Sequence, residues 1–354
     1  MVQQENRQSN FELLRLISMA LIVIHHYAYH GAVDINAQVT QQSFALQILS
    51  LGGTVGVNVF VMIGSYFLIG KEFKWRRTLK IIIDVFLYSY LIFAVYAIFK
   101  PQYLHDKNII NFILPFPGSY WFAAFYVLLI LFTPGLNYII EHFSRKNLKN
   151  TLYLFAVLLV IGPSLTLYDF SIEWKRLLTF IFLYLLTAYI KLYLPDYIDS
   201  LAKGRKLTLW ATGLLVLIVI IMLATDAELE SSPATDILIG QNKIFIILIS
   251  CGLFIWFKNW HLASIKWINA LSGATFGVYL IHEQPLLRQA IWQRVANDQV
   301  HDFATSLFGG FISGFGVFLV CLLLAYLVEK ILGRFTNKLA VGLGQRMDNW
   351  DALL

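Results

Sequence analysis

Arg15 and His26 stand eleven residues apart in "NFELLRLISMALIVIHHYAYHG", the first apolar run of this chain. At about 100° per residue, eleven steps end about 20° past three full turns. The two side chains therefore share one helix face, about 16 Å apart along its axis. An ionisable group near the centre of a bilayer costs about 2.5–3.5 kcal/mol, so such groups face a cavity or a partner and mark a site. An imidazole titrates near working pH and can take a proton from a hydroxyl. A guanidinium holds an anion in a planar fork. Two plainer roles compete: Arg15 can snorkel to the interface and pair with Glu12 at i−3, and His26 can simply bond a neighbouring helix. His25 is turned about 100° off the stripe and ranks second. His26, His30 and Asp34 fall at i, i+4, i+8, which is metal-ligand spacing. Gly31 and the expected helix exit argue against that use, and no metal is expected.

The elements that must position these groups are legible from composition. Of 354 residues, 58% are hydrophobic and 14% charged, against about 25% charged in a soluble domain. The apolar residues come in long runs, which points to an all-α polytopic membrane protein rather than an alternating β-barrel. The net charge of +6 is accounted for by basic loops, so nucleic acid is not an expected partner. Cys251 and Cys321 lie in apolar runs and form neither a disulfide framework nor a metal pattern. The run from Phe11 to His30 has no small-x-small cleavage site and reads as a span rather than a cleaved leader.

About ten spans are expected, over 11–30, 44–70, 78–99, 118–141, 148–167, 174–194, 207–224, 240–257, 265–292 and 305–333. Segment 104–116 is too short and mixed to cross and is expected at an interface. With the N-terminus inside, nineteen of the 27 Lys and Arg fall on the inner side and seven on the outer, with Arg15 within the membrane. That bias puts both termini in the cytoplasm and the acidic loop 225–239 outside. The domain reading is a tail over 1–10, a transmembrane domain over 11–335 and a second cytoplasmic tail over 336–354.

Arg-x10-His resembles the first span of the acyltransferase-3 family of integral membrane O-acyltransferases, and other stretches agree in order. "GGTVGVNVFVMIGSYFLIG" (52–70) is similar to the family's Gly-rich second span, and "KWRRTLK" (74–80) to its basic cytoplasmic motif. "YWFAAFYVLLILFTP" (120–134) resembles its Trp-Phe segment, and "LSGATFGVYLIH" (271–282) its Ser-Tyr-Gly-Ile-Tyr-Leu-Ile-His signature. The likeness covers about residues 10–335 and is nearest to members found among bacterial exopolysaccharide and capsule enzymes. Two departures are visible. Gly64-Ser65 inverts the usual Ser-Gly, and the basic motif reads Arg77-x-x-Lys80 instead of Arg-x-x-Arg. No appended esterase-like domain is expected from these 354 residues.

The resemblance implies a bacterial plasma-membrane enzyme. It would move an acyl group from cytoplasmic acyl-CoA, acetyl by family default and succinyl in related enzymes. The acceptor would be a hydroxyl of a cell-surface polysaccharide or its lipid-linked precursor. Within that frame His26 is the expected base, and Arg15, Arg76, Arg77 and Lys80 the expected donor-binding cations. Positive-inside placement alone also explains the last three. Asp84, at i+4 from Lys80, can pair with Lys80 or Arg15. Trp121, Tyr279 and His282 are expected near the acceptor, against interfacial-belt and helix-packing roles, with Glu283 and Arg288 behind them. Gly52, Gly53, Gly56, Gly309, Gly310 and Gly314 read as close-packing positions. Two other classes compete: a transporter of a glycan precursor or small anion, in which intramembrane Arg and His are equally at home, and a non-catalytic scaffold, which leaves the polar face unexplained.

Overall fold

In a computed structural model, the structure describes residues 9–31, 33, 40–99, 113–165, 172–224, 238, 240–295 and 302–351. Asp34, most of segment 104–116 and the acidic residues of loop 225–239 lie outside them. The described residues are helical, with no strand among them. The order is α1 (Ser9–His30), α2 (Gln41–Leu68), α3 (Trp75–Phe99), α4 (Trp121–His142) and α5 (Arg145–Phe155). A π-helical turn (Ala156–Ile161) joins α5 to α6 (Gly162–Leu165). Then come α7 (Ile172–Tyr193), α8 (Leu201–Ala224), α9 (Ile244–Lys258), α10 (Lys266–Ser272), α11 (Thr275–His282), α12 (Pro285–Val295) and α13 (Phe303–Asp351). Among the described residues, eight helices are long and apolar enough to cross a membrane, counting α5 to α6 as one; α9 is apolar but shorter.

The α1–α2 pair forms the centre, and glycine is what lets it close. A Cβ on Gly53 would lie 2.2 Å from Cγ of His25, and one on Gly56 2.5 Å from the Ser18 carbonyl oxygen. Gly310 and Gly314 admit Tyr27 and Ile24 of α1 to α13 in the same way, whereas Gly309 faces open space and does not pack as expected. The inner end of α1 is tied to the later helices by polar side chains. Asn10 donates to the Phe257 carbonyl at 2.8 Å, and Ser9 donates to Asn269 Oδ1 at 2.8 Å. Ser272 donates to the buried Glu12 carboxylate at 2.5 Å.

Two places depart from ten uninterrupted spans. The stretch expected to cross over 265–292 is three short helices, α10, α11 and α12. The second break has a local cause. Pro285 opens α12, where its missing N–H costs nothing, and the Gln284 side chain accepts from the backbone N–H groups of Leu286 and Leu287 at 2.7 and 3.1 Å. Irregular backbone at membrane depth is tolerated when buried in protein, and His282, Glu283 and Gln284 are all buried. At the other end of the chain, α13 runs 49 residues, about 74 Å, well past the 305–333 expected to cross. Its far end packs on the start of α3. There Trp75 N donates to Asp348 Oδ1 at 3.2 Å, and a Cβ on Gly344 would meet the Arg76 backbone at 2.7 Å.

The π-turn is held by the segment before α9. Asn242 Nδ2 donates to the Leu159 carbonyl at 2.8 Å, and Lys243 Nζ to the Pro163 carbonyl at 2.5 Å. A π-turn frees carbonyls from the regular ladder, and this segment takes up that of Leu159 together with that of Pro163 in α6, seating the neighbouring Gln241 deep in the bundle.

Candidate functional site

His26 leaves α1 toward the break after α11. Its Nδ1 lies 2.9 Å from Nε2 of His282, a residue 256 positions away. His282 Nδ1 is in turn 2.7 Å from the Val278 carbonyl oxygen. A carbonyl only accepts, so that nitrogen carries the proton and His282 Nε2 is the acceptor. His26 must then donate from Nδ1, which leaves Nε2 as the lone-pair nitrogen of its neutral ring. The tautomer follows from the hydrogen-bond network. Glu283 completes the group. Its Oε1 is 3.3 Å from His26 Nδ1 and 3.4 Å from His30 Nε2, and its Oε2 is 3.6 Å from Arg288 Nη1. A buried carboxylate beside a ring nitrogen stabilises the imidazolium formed when that ring accepts a proton.

His25 faces elsewhere, as helical phase requires. Its ring sits in the Gly53 notch of α2, Nδ1 is 2.7 Å from the Ser50 carbonyl oxygen, and Tyr29 stacks on it with ring centroids 5.4 Å apart. It is committed to helix packing and lines the site only in passing.

Beside His26 lies an apolar cavity of about 90 Å³. Met19 and Ile22 of α1, Val57 and Phe60 of α2, Trp121 and Phe122 of α4, and Phe276 and Tyr279 of α11 form its walls, with Thr54 and Gln241 as polar points. The structure thus brings His26, Trp121 and Tyr279 to one cavity, with His282 immediately behind His26. Two wall groups are uncommitted donors: the buried Tyr279 hydroxyl and Gln241 Nε2 find no acceptor among the described residues. An unsatisfied buried polar group costs about 1–3 kcal/mol, a cost that a bound ligand with acceptor oxygens would remove. The Tyr279 hydroxyl also sits beside the backbone N–H groups of Phe122 and Ala123 in the first turn of α4. Trp121 carries the Arg176 guanidinium on one face, 4.2 Å from its ring centroid, so only part of the ring is open to another ligand.

An aromatic column leads from this cavity toward the inner end of α1. Tyr279 meets Phe122 edge-on with centroids 5.7 Å apart, and Phe122 stacks on Tyr126 at 5.6 Å. Tyr126 fits only because residue 64 is glycine: a Cβ there would lie 1.9 Å from its hydroxyl. That hydroxyl feels the charges of both Arg15 and Arg77.

The inner cations are individually engaged. Arg15 pairs with Glu12 at 3.2 Å and lies 5.9 Å from the Phe67 ring centroid. Lys80 donates to both oxygens of Asp84 at 2.6 Å, with Glu329 4.0 Å away. Arg77 donates to the Glu72 carbonyl at 2.7 Å, and Arg76 is exposed. Of these four, Arg15 and Arg77 are the two whose charge reaches the Tyr126 hydroxyl. The sequence reading passed over Gln241, Thr54 and Arg176, and ranked Glu283 behind its neighbours. An acid directly after a histidine at the end of an apolar run was the available signal for Glu283. Gln241 had none, because its place depends on the π-turn.

Comparison with known proteins adds one match. A family model described as an acyltransferase domain matches residues 8–328. No curated protein and no solved structure matches the chain.

Proposed function

This chain belongs to the acyltransferase-3 family of membrane acyltransferases, and on that premise we propose that it moves an acetyl group from cytoplasmic acetyl-CoA to a hydroxyl of a surface polysaccharide or its lipid-linked precursor. The proposed setting is the bacterial plasma membrane. The observation that carries the reading is the relay from Val278 through His282 to His26, which leaves His26 Nε2 bare of a proton beside an apolar cavity. In the proposed step the acceptor hydroxyl attacks the thioester carbonyl while His26 Nε2 takes its proton. The new C–O bond forms, the C–S bond breaks, and the proton passes from the imidazolium to the departing thiolate. Glu283 holds the imidazolium between the two transfers. Tyr279 is the proposed donor to the carbonyl oxygen, supported by its free hydroxyl and by its place at the first turn of α4.

Cavity size supports a short acyl group. An apolar cavity of about 150 Å³ holds benzene, six carbons, so one of about 90 Å³ suits two to four heavy atoms. Succinyl is larger and would place a carboxylate against Phe and Met walls. For the donor, Arg15 and Arg77 are the proposed phosphate contacts, with Arg76 and Lys80 at the margin. The aromatic column is the proposed path of the pantetheine arm.

The test is NMR of the host's surface polysaccharide with the gene present and deleted. Loss of O-acetyl resonances at unchanged chain length is the expected outcome. Loss of the polymer itself would point to transport.

A further inference from the structure

The same side chains that orient His26 have the geometry of a cation site. Zinc bonds of about 2.0–2.1 Å in a tetrahedron separate neighbouring ligand atoms by about 3.3–3.4 Å. Glu283 Oε1 lies 3.3 Å from His26 Nδ1 and 3.4 Å from His30 Nε2. All three atoms fall within 4.8 Å of one another. His282 Nε2, 2.9 Å from His26 Nδ1, stands outside this trio as the hydrogen-bond partner of His26. His282 is itself fixed through its other nitrogen by a backbone carbonyl, so it holds the His26 ring in place behind the trio. Glu283 is 6% exposed, and its Oε1, at the centre of the group, has no hydrogen-bond partner. The His30 side chain is a quarter exposed and offers a way in. The i, i+4 pair on α1 thus finds a carboxylate at the α11–α12 break.

We propose that His26, His30 and Glu283 form a site for a divalent cation of the zinc class, and that its occupancy switches the enzyme off. Imidazole-rich donors with one carboxylate suit zinc and its transition-metal neighbours over magnesium or calcium. The inhibition has a simple origin. A cation on Nδ1 of a neutral imidazole leaves the ring's one proton on Nε2, the atom that must otherwise accept the acceptor's proton. The inhibition rests on the base role proposed above; the binding does not.

The test uses the full chain in detergent after treatment with a chelator. Added Co²⁺ should give the visible absorption of a tetrahedral site, and one equivalent of Zn²⁺ should abolish it. Loss of a direct ligand should cost at least the roughly tenfold that losing an outer-shell partner does, so both His30→Gln and Glu283→Gln should weaken Co²⁺ binding by at least about tenfold. Zn²⁺ should suppress acyl transfer by the wild type in the range where it displaces Co²⁺, and Mg²⁺ should not. His30→Gln should need correspondingly more Zn²⁺ for the same fractional loss of its own activity. Absence of a Co²⁺ signal in the wild type, or equal binding by wild type and both folded variants, would overturn the site. A chelated protein that binds Co²⁺ as expected but transfers nothing would refute the acyl-transfer reading and leave the cation site standing.

Discussion

The polar group around His26 and the basic cluster of Arg15, Arg77 and Lys80 are built on different principles. Around His26, side chains far apart in sequence converge: His26 and His30 from α1, His282 and Glu283 from the end of α11. Their hydrogen bonds assign a direction to the protons. Around the basic cluster, the ties are mostly local: Lys80 to Asp84 at i+4, Arg15 to Glu12 at i−3, and Arg77 to the carbonyl of Glu72. A long-range group held at membrane depth is costly to assemble and does little for stability beyond what apolar packing would do. Cations at an inner mouth satisfy orientation rules at little cost. The difference teaches which assignments rest on built geometry and which on charge and side alone.

Substitutions can break or sharpen that contrast. The largest effect should fall on His26: His26→Gln keeps shape and hydrogen bonding but cannot accept a proton, and transfer should fall by about 10²–10⁴-fold. Glu283→Gln comes next. A hydrogen bond to a charged group is worth about 1.5–3 kcal/mol, so kcat should drop by about 10–100-fold, with the donor KM little changed. In the inner region, Arg15→Lys keeps charge and loses the fork. We expect about a fivefold rise in donor KM and little change in kcat, measured with labelled acetyl-CoA and membrane vesicles at matched protein abundance. Equal KM values would reduce Arg15 to its pairing with Glu12. The smallest effects should come from Arg77 and Lys80 changed singly to Gln. Arg77→Gln should raise donor KM a few-fold. Lys80→Gln should instead lower the yield of folded protein, since it strands the buried Asp84 without its partner. A matching KM rise in both would mean that Lys80 reaches the donor as well. Topology must be mapped alongside, because these charges also orient the chain.

Much of this was legible in the sequence. Run length and loop charge marked the helical membrane fold, and 3.6-residue periodicity separated His26 from His25 before any contact was known. Spacing offered Glu12 as a partner for Arg15 and either Lys80 or Arg15 as a partner for Asp84; the structure pairs Asp84 with Lys80. What remained hidden was non-local or irregular. Residues 265–292 read as one span because apolar residues resume at Leu286 and Leu287 directly after the short polar stretch His282–Pro285. The break depends on Gln284 folding back to cap α12 ahead of Pro285, a contact that hydropathy does not register. Gln241 reaches the cavity because its neighbours Asn242 and Lys243 bind the carbonyls of Leu159 in the π-turn and Pro163 in α6, some 80 residues earlier. The Gly64-Ser65 inversion looked like a departure from the family pattern; in the structure Gly64 is the notch that admits Tyr126.

The central claim is that helical phase on α1 divides two adjacent histidines into a base and a packing residue. The direct measurement is acyl transfer from labelled acetyl-CoA by His26→Gln and His25→Gln, in vesicles with equal amounts of correctly inserted protein. The account predicts a loss of at least about a hundredfold for His26→Gln and a change within about threefold for His25→Gln, the loss expected from a partly exposed hydrogen bond of about 0.6 kcal/mol. Wild-type transfer by His26→Gln, with transfer lost in His25→Gln, would contradict it.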